Sequence, residues 1–367
     1  MINIHTMSIK SALLILGLSL STQLWALAPS ETRWQTFTHA AISEHIVPRY
    51  KALAHASVML NTRISEFCKH RSPEALVETK HQFKMSLKAW QGIQHIQFGP
   101  VILLMRNFSL QYWPDKKNLG SRQLNALLKT SLTAGNYNYY NPEFFARASV
   151  AVKGLPAIER LLFDPEYLEQ LGTNPNYCLL LSGIGGYIAQ NTQAIVNEWQ
   201  REMDNYQDFS EDGVYLSAQE AATEILKALV EPVEAISDAK IGLPLGDTLA
   251  KMRWRKSESW RSGQSIANIR VNFAALQHLY SGIEAVNVRM LLAEVGANSL
   301  ADIIDQQFKQ LVRLLENVKE PESMQYQQSD YDKLQMVQPS LKMLSDSLLA
   351  SMRLLQINLG FNRRDGD

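Results

Sequence analysis

The sequence predicts an all-α protein made of long helices with short breaks, arranged as helical bundles. Three observations predict it. Apolar residues recur with helical spacing along most of the chain, whereas strand-like alternation is weak. Pro, Gly and Ser/Asn punctuation falls at the ends of those periodic stretches. One polar segment, Ser210-Glu211-Asp212-Gly213, divides the chain into two helical sets, 29–210 and 211–367. At 367 residues the chain suits one very large domain or two ordinary ones, and it can bury a sizeable core without metals.

Each element follows from its residues. Between 30 and 70, Trp34, Phe37, Ala41, Tyr50, Leu53, Leu60, Ile64 and Phe67 fall on roughly one helical face. Pro48 should kink or divide that helix. Ser72 and Pro73 form a cap and first turn, and the next helix runs through Phe83, Leu87 and Trp90 to a break at Phe98-Gly99-Pro100. Val101–Leu110 reads as a further helix, stopped by Trp113-Pro114-Asp115. Ser121–Leu132 is short and helical. A polar aromatic loop with Tyr137, Tyr139 and Tyr140 leads to Pro142, which starts another helix. Asp164-Pro165 and Thr173-Asn174-Pro175 are turns, and a long helix covers about 177–206. In the second set, 217–240 is helical despite Pro232, and 241–246 is a loop. Helices at 262–280, 300–318 and 330–359 complete the set.

Residues 1–28 read as a secretory signal. Lys10 is the positive flank, Ser11–Leu20 the apolar core, and Ala26-Leu27-Ala28 a small-x-small cleavage site. The apolar run is too short for a confident membrane span, and no later stretch is long enough. Export to the periplasm is the expectation. In that compartment the lone pair Cys68 and Cys178 is expected to form a disulfide, the other reading being two buried thiols. Zero formal net charge argues against nucleic acid as partner. There is no glycine-rich phosphate loop, no GxSxG elbow and no HExxH helix.

The most informative stretch is Val152–Phe163. Gly154 permits a turn, Pro156 suits a helix start, and Glu159 lies near the helix N-terminus, where the dipole favours a carboxylate. Its neighbours are apolar, so Glu159 is expected inside the protein, where it needs a partner.

Gly154-Leu155-Pro156-Ala157-Ile158-Glu159 resembles the GxHxxE signature of the imelysin-like proteins, with Pro156 where that signature has His. Three further stretches are similar to the same family. They are Trp90 with Phe98-Gly99-Pro100; Trp113-Pro114-Asp115; and Glu258-Ser259-Trp260-Arg261-Ser262 continuing to Ser265, Asn268 and Asn272. The resemblance covers about residues 31–357. It implies two helical bundles with a site where they meet, a history as metallopeptidases and a link to bacterial iron uptake. The family's Cys pattern is compatible with pairing Cys68 to Cys178.

In the full signature, His and Glu three apart share one helical face and could offer an imidazole and a carboxylate to one metal ion. Proline has no donor atom, so Glu159 is the only carried-over metal candidate, and binding of iron or another divalent metal is put in doubt. His81 and His95 are the histidines that would have to replace the lost ligand. Arg261 is the expected counter-charge of Glu159, with Arg106 second. Trp113, Trp260 and the cluster of Tyr137, Tyr139 and Tyr140 are expected to wall the cleft, and Ser262, Ser265 and Asn268 to form one polar stripe. Each of these also has a plain structural reading, as core packing, helix stop or cap. The function this supports is an exported, non-catalytic protein holding a small ligand or a periplasmic or outer-membrane partner between the bundles. The alternatives are a metal-dependent peptidase that recruits a different His, and a purely structural partner-binding protein.

Overall fold

A computed structural model describes residues 28–115, 117–134, 140–321 and 326–360. The proposed signal core and the cleavage site as far as Leu27, with Tyr137 and Tyr139, lie outside the described residues. The fold is all-α, with no strand among the described residues.

In chain order the helices are α1 (Glu31–Ala40), α2 (Val47–His70), α3 (Pro73–Gln91), α4 (Arg106–Leu110), α5 (Leu119–Ala134), α6 (Pro142–Arg147), α7 (Leu155–Phe163), α8 (Pro165–Thr173) and α9 (Pro175–Gln207). They continue as α10 (Ala218–Ala235), α11 (Leu243–Leu245), α12 (Ser265–Gln277), α13 (Val288–Glu294), α14 (Asn298–Glu316) and α15 (Gln328–Leu354). The starts follow local capping chemistry. Ser72 Oγ accepts from the Ala75 N–H at 3.2 Å, and Asn141 Oδ1 from Phe144 N–H at 2.8 Å.

Several expected boundaries differ. Pro48 does not divide its helix. A π turn, Ala41–Ile46, precedes α2, and the Val47 N–H reaches back five residues to the Ile42 carbonyl. The wider turn absorbs a residue that has no N–H and whose ring would crowd the preceding turn. A second π turn, Ile236–Gly242, follows Pro232 and carries the chain helically through most of the expected loop. Residues 101–110 are not one helix. Two 3₁₀ turns lead to α4, and Leu104 and Met105 take left-handed φ values of 54° and 55°. The helical pattern of the sequence is interrupted here, and the segment makes a tertiary contact. The Arg106 guanidinium is buried and donates to both oxygens of Glu198 on α9 at 2.5 and 2.6 Å.

α2 packs on α3 and α9, α14 on α15, and α10 on α15. α1 crosses to pack on α10, and α3 meets α12, so the two helical sets share one continuous core. Trp34, Tyr50, Trp90, Trp199 and Tyr280 are among its fully buried side chains.

Cys68 on α2 and Cys178 on α9 are disulfide-bonded, with Cα atoms 5.5 Å apart. The bond closes a loop spanning 110 residues. Replacing both by Ser is expected to cost about 3–5 kcal/mol. Urea denaturation of the oxidised protein and the double variant measures this, and a loss below about 1 kcal/mol would contradict it.

Candidate functional site

The site is built where α7 faces the loop that precedes α12. Gly154 caps α7 with φ 134°, a conformation that side chains rarely adopt. A Cβ there would sit 2.4 Å from the Ser109 carbonyl oxygen and 2.8 Å from that of Leu110. The glycine therefore lets the start of α7 lie directly against the end of α4. Leu155, Ala157, Ile158, Leu161 and Leu162 are buried and anchor the helix. That packing carries Glu159 and Arg160 inside as well, and both are buried.

Glu159 is 5 % exposed. Its Oε1 accepts from the Ser262 backbone N–H at 2.9 Å and from the Ser262 hydroxyl at 2.7 Å. Burial pushes its pKa above the usual carboxylate range. The two Ser262 bonds, then Arg261 and Arg160, pull it back in part.

Arg261 is not the direct partner of Glu159. Its Nε donates to Asp164 Oδ2 at 2.6 Å, and its guanidinium lies 4.3 Å from the Trp260 ring centroid. Ser259 and Gly263 both have positive φ, 52° and 63°. They turn the loop so that Ser262 faces Glu159 and its neighbour Arg261 faces the end of α7. Arg160 pairs with Asp115, Nη2 to Oδ2 at 3.0 Å. Asp115 also accepts from the N–H groups of Leu119 and Gly120, at 2.7 and 2.8 Å, so one carboxylate caps α5 and holds Arg160.

These groups line a cleft of about 900 Å³. Trp113, Pro156, Trp260 and Arg261 are on its wall. Five cationic side chains line it, Lys117, Arg160, Arg255, Lys256 and Arg261, against three carboxylates, Asp115, Glu159 and Asp164. None of the described residues lining the cleft is a His. His95 is instead bound to His45, Nε2 to Nε2 at 2.8 Å, and His81 is not on the wall either. Among the described residues no group of three or more His, Cys, Asp or Glu is arranged to hold a metal ion.

Three sequence-based assignments need correction. Arg106 is tied to Glu198 and the Pro100 carbonyl and does not line the cleft. Ser265 is buried behind the cleft, its hydroxyl donating to the Glu258 carbonyl at 2.6 Å. The expected stripe on one helix is split because α12 begins only at Ser265. Ser262 binds Glu159 from the loop, while Asn268 Nδ2 reaches Ser259 Oγ at 3.1 Å and braces that loop from behind. Tyr140 packs with Phe144 and Phe145, away from the cleft wall.

Sequence reasoning missed the polar layer behind the wall. Lys240, from the second π turn, pairs with buried Glu258 at 2.9 Å and donates to Gln91 and Asn272. Gln111 Nε2 donates to the other Glu258 oxygen at 2.7 Å. Glu258, Asn268 and Asn272 were visible as one motif stretch. Lys240, Gln111 and Gln91, which meet Glu258 and Asn272 from 18 to 181 residues away, leave no local signal.

Comparison with known proteins agrees with this architecture. An imelysin-like protein from Psychrobacter arcticum has a similar structure, with a TM-score of 0.72 at 20 % identity, covering 91 % of this chain and 98 % of that one. A candidate iron-regulated protein A precursor from Parabacteroides distasonis gives a TM-score of 0.73 at 16 % identity, covering 90 % and 96 %. Iron-regulated protein A of Synechococcus elongatus is 21 % identical over 293 residues, 76 % of this chain and 74 % of that protein. The family model described as Imelysin matches residues 46–348, which takes in α7, the cleft and most of both helical sets. The chain belongs to the imelysin family.

Proposed function

We propose that this chain is an exported, non-catalytic member of the family that binds an anionic ligand in the cleft between α7 and the 257–264 loop, as part of iron acquisition. The observation that carries the reading is the donor set around Glu159. The position that would supply an imidazole is Pro156, and Oε1 of Glu159 is already engaged by Ser262. The cleft has two more cationic than anionic side chains, which repels a bare metal cation and attracts an anion. Arg261 stacked on Trp260 offers a planar donor beside an aromatic face, a usual arrangement for carboxylate recognition. The names of the Synechococcus and Parabacteroides relatives support a role with iron. In a cleft of this charge, iron would enter within an anionic polycarboxylate chelate.

Calorimetry on the purified protein tests the reading with ferric citrate and with ferrous, zinc and copper(II) ions. Ferric citrate is expected to bind stoichiometrically, with affinity about tenfold lower in Arg261→Ala. Failure of the chelate to bind would refute the anion assignment. Tight binding of a bare ion that vanishes in Glu159→Ala would refute the no-metal part. Chelator-sensitive cleavage of casein that is lost in Glu159→Gln would establish the peptidase alternative.

A further inference from the structure

A second cavity, of about 510 Å³, lies on the other side of the wall formed by Gln111, Trp113 and Pro114. Its chemistry is the reverse of the cleft's. Four aromatic side chains line it, Trp90, Phe98, Phe108 and Trp113. Its charged groups nearly cancel. Lys240 is paired with Glu258, and Lys227 donates to Glu224 at 2.8 Å. Glu231 is the remaining carboxylate on the lining, and it is exposed.

The wall also carries polar capacity that the protein does not use. Gln111 is 9 % exposed, and with its Nε2 committed to Glu258 its Oε1 has no hydrogen-bond partner among the described residues. His95, 6 % exposed and also on the lining, has Nε2 bound to His45 and Nδ1 without a partner. A buried acceptor left unmade is a cost that a donor from a ligand would remove.

Aromatic faces attract cations through their ring quadrupoles, and a single unmatched carboxylate at the same cavity adds to that attraction. An unused carbonyl oxygen favours a ligand that carries a hydrogen-bond donor, and the ammonium N–H supplies one. We propose that this cavity is a second binding site, distinct from the anion cleft, for a protonated amine borne on an apolar ring. The ring lies among Phe98, Phe108 and Trp113, the ammonium sits towards Glu231, and an N–H reaches Gln111 as its amide shifts to meet it. The shared wall separates the two sites, so both can be filled together.

The test is titration of the full-length mature protein with phenethylamine and, as the charge-reversed control, phenylacetate, by calorimetry and saturation-transfer NMR. The amine is expected to bind at least about tenfold more tightly than the acid. Phe108→Ala is expected to weaken the amine by about 5-fold, and Glu231→Gln by about 3-fold. Both substitutions are at exposed positions and leave the core intact. Saturating ferric citrate should leave the amine titration unchanged. No amine binding, equal affinity for amine and acid, indifference to both substitutions, or displacement by ferric citrate would each overturn the proposal. The last outcome would place the amine in the first cleft and leave the reading of that cleft to its own test.

Discussion

Gly154→Ala is expected to destabilise the protein by about 3–5 kcal/mol. Two effects add. A non-glycine residue at φ 134° carries backbone strain of about 1–3 kcal/mol. The new methyl would also fall 2.4 Å from the Ser109 carbonyl oxygen and 2.8 Å from that of Leu110. Both obstacles are backbone, so neither can rotate aside, and relief requires α7 to move off α4. Overpacking of this kind costs about 1–3 kcal/mol further. The same movement would draw Glu159 away from Ser262, so ligand affinity should fall along with stability. Gly172→Ala is the matched control. It lies in α8 with nothing within 4 Å of the added methyl, and is expected to be neutral or to stabilise by up to about 1 kcal/mol. Urea midpoints of the two variants decide the matter. Similar midpoints would mean that the close approach at Gly154 carries no cost.

Acid should unfold the protein earlier than its carboxylates alone would require. His45 is fully buried between two other imidazoles. Its Nδ1 lies 3.0 Å from His278 Nδ1, and its Nε2 lies 2.8 Å from His95 Nε2. A neutral chain satisfies these contacts, with one ring donating and the next accepting. Burial lowers the His45 pKa well below its usual value, and His95, Arg49 and His278 lower it further. Burial, then Arg49, lowers His95 to about 3. His278 is also lowered, again by burial and Arg49, although Glu44 pulls it the other way.

All three folded pKa values lie below the unfolded value of about 6.5. Their stabilising contribution is therefore complete above about pH 6.5 and is lost as pH falls, because the unfolded chain takes up protons that the fold excludes. Each excluded proton costs about 1.4 kcal/mol per pH unit, so His45 and His95 together should remove about 2–4 kcal/mol between pH 6.5 and 5. Glu159 and Glu320 act in the opposite sense. Their folded pKa values are raised by burial, so they favour the fold as pH falls towards the ordinary carboxylate range of about 4.3. The two glutamates oppose the histidines, so the histidine share is read as the difference between the wild type and a variant that lacks these imidazoles. Urea unfolding at pH 7.5, 6 and 5 should show it, and the double variant His45→Gln, His95→Gln should be flatter over that range. A double variant whose stability falls between pH 7.5 and 5 as steeply as the wild type's would refute the account.

Much of the architecture was legible because helix ends are made by neighbours in sequence. Ser72-Pro73, Asn141-Pro142 and Asn174-Pro175 each place a cap and a helix-starting proline side by side, and each begins a helix. Gly154 and Glu159 could be read locally as a turn and an inward-facing carboxylate, since the turn, the helix start and the apolar surroundings lie within ten residues; their choice as candidate site residues rested on the resemblance to the GxHxxE signature. The Cys68–Cys178 bond was one of two readings that a lone cysteine pair allows, and the structure has it. The partners of the charged groups were not legible. Arg261 and Ser262 are adjacent, and which of them meets Glu159 depends on two left-handed residues, Ser259 and Gly263, and on where Asp164 ends α7. Ser259 gives no sign in the sequence that it will adopt that conformation.

By itself, then, the sequence determined that the chain is helical, where most helices start, and that a proline stands three residues before a buried glutamate. These properties depend on contacts within a turn or two of the backbone. Tertiary structure alone decided that Ser262 rather than Arg261 binds Glu159, that Arg106 serves α9 instead of the cleft, and that His45, His95 and His278 form one chain. It also set the opposite electrostatic character of the two cavities. Pairing between polar groups is fixed by distance in space, and groups brought together from 50 to 233 residues apart share no periodicity that a sequence could display.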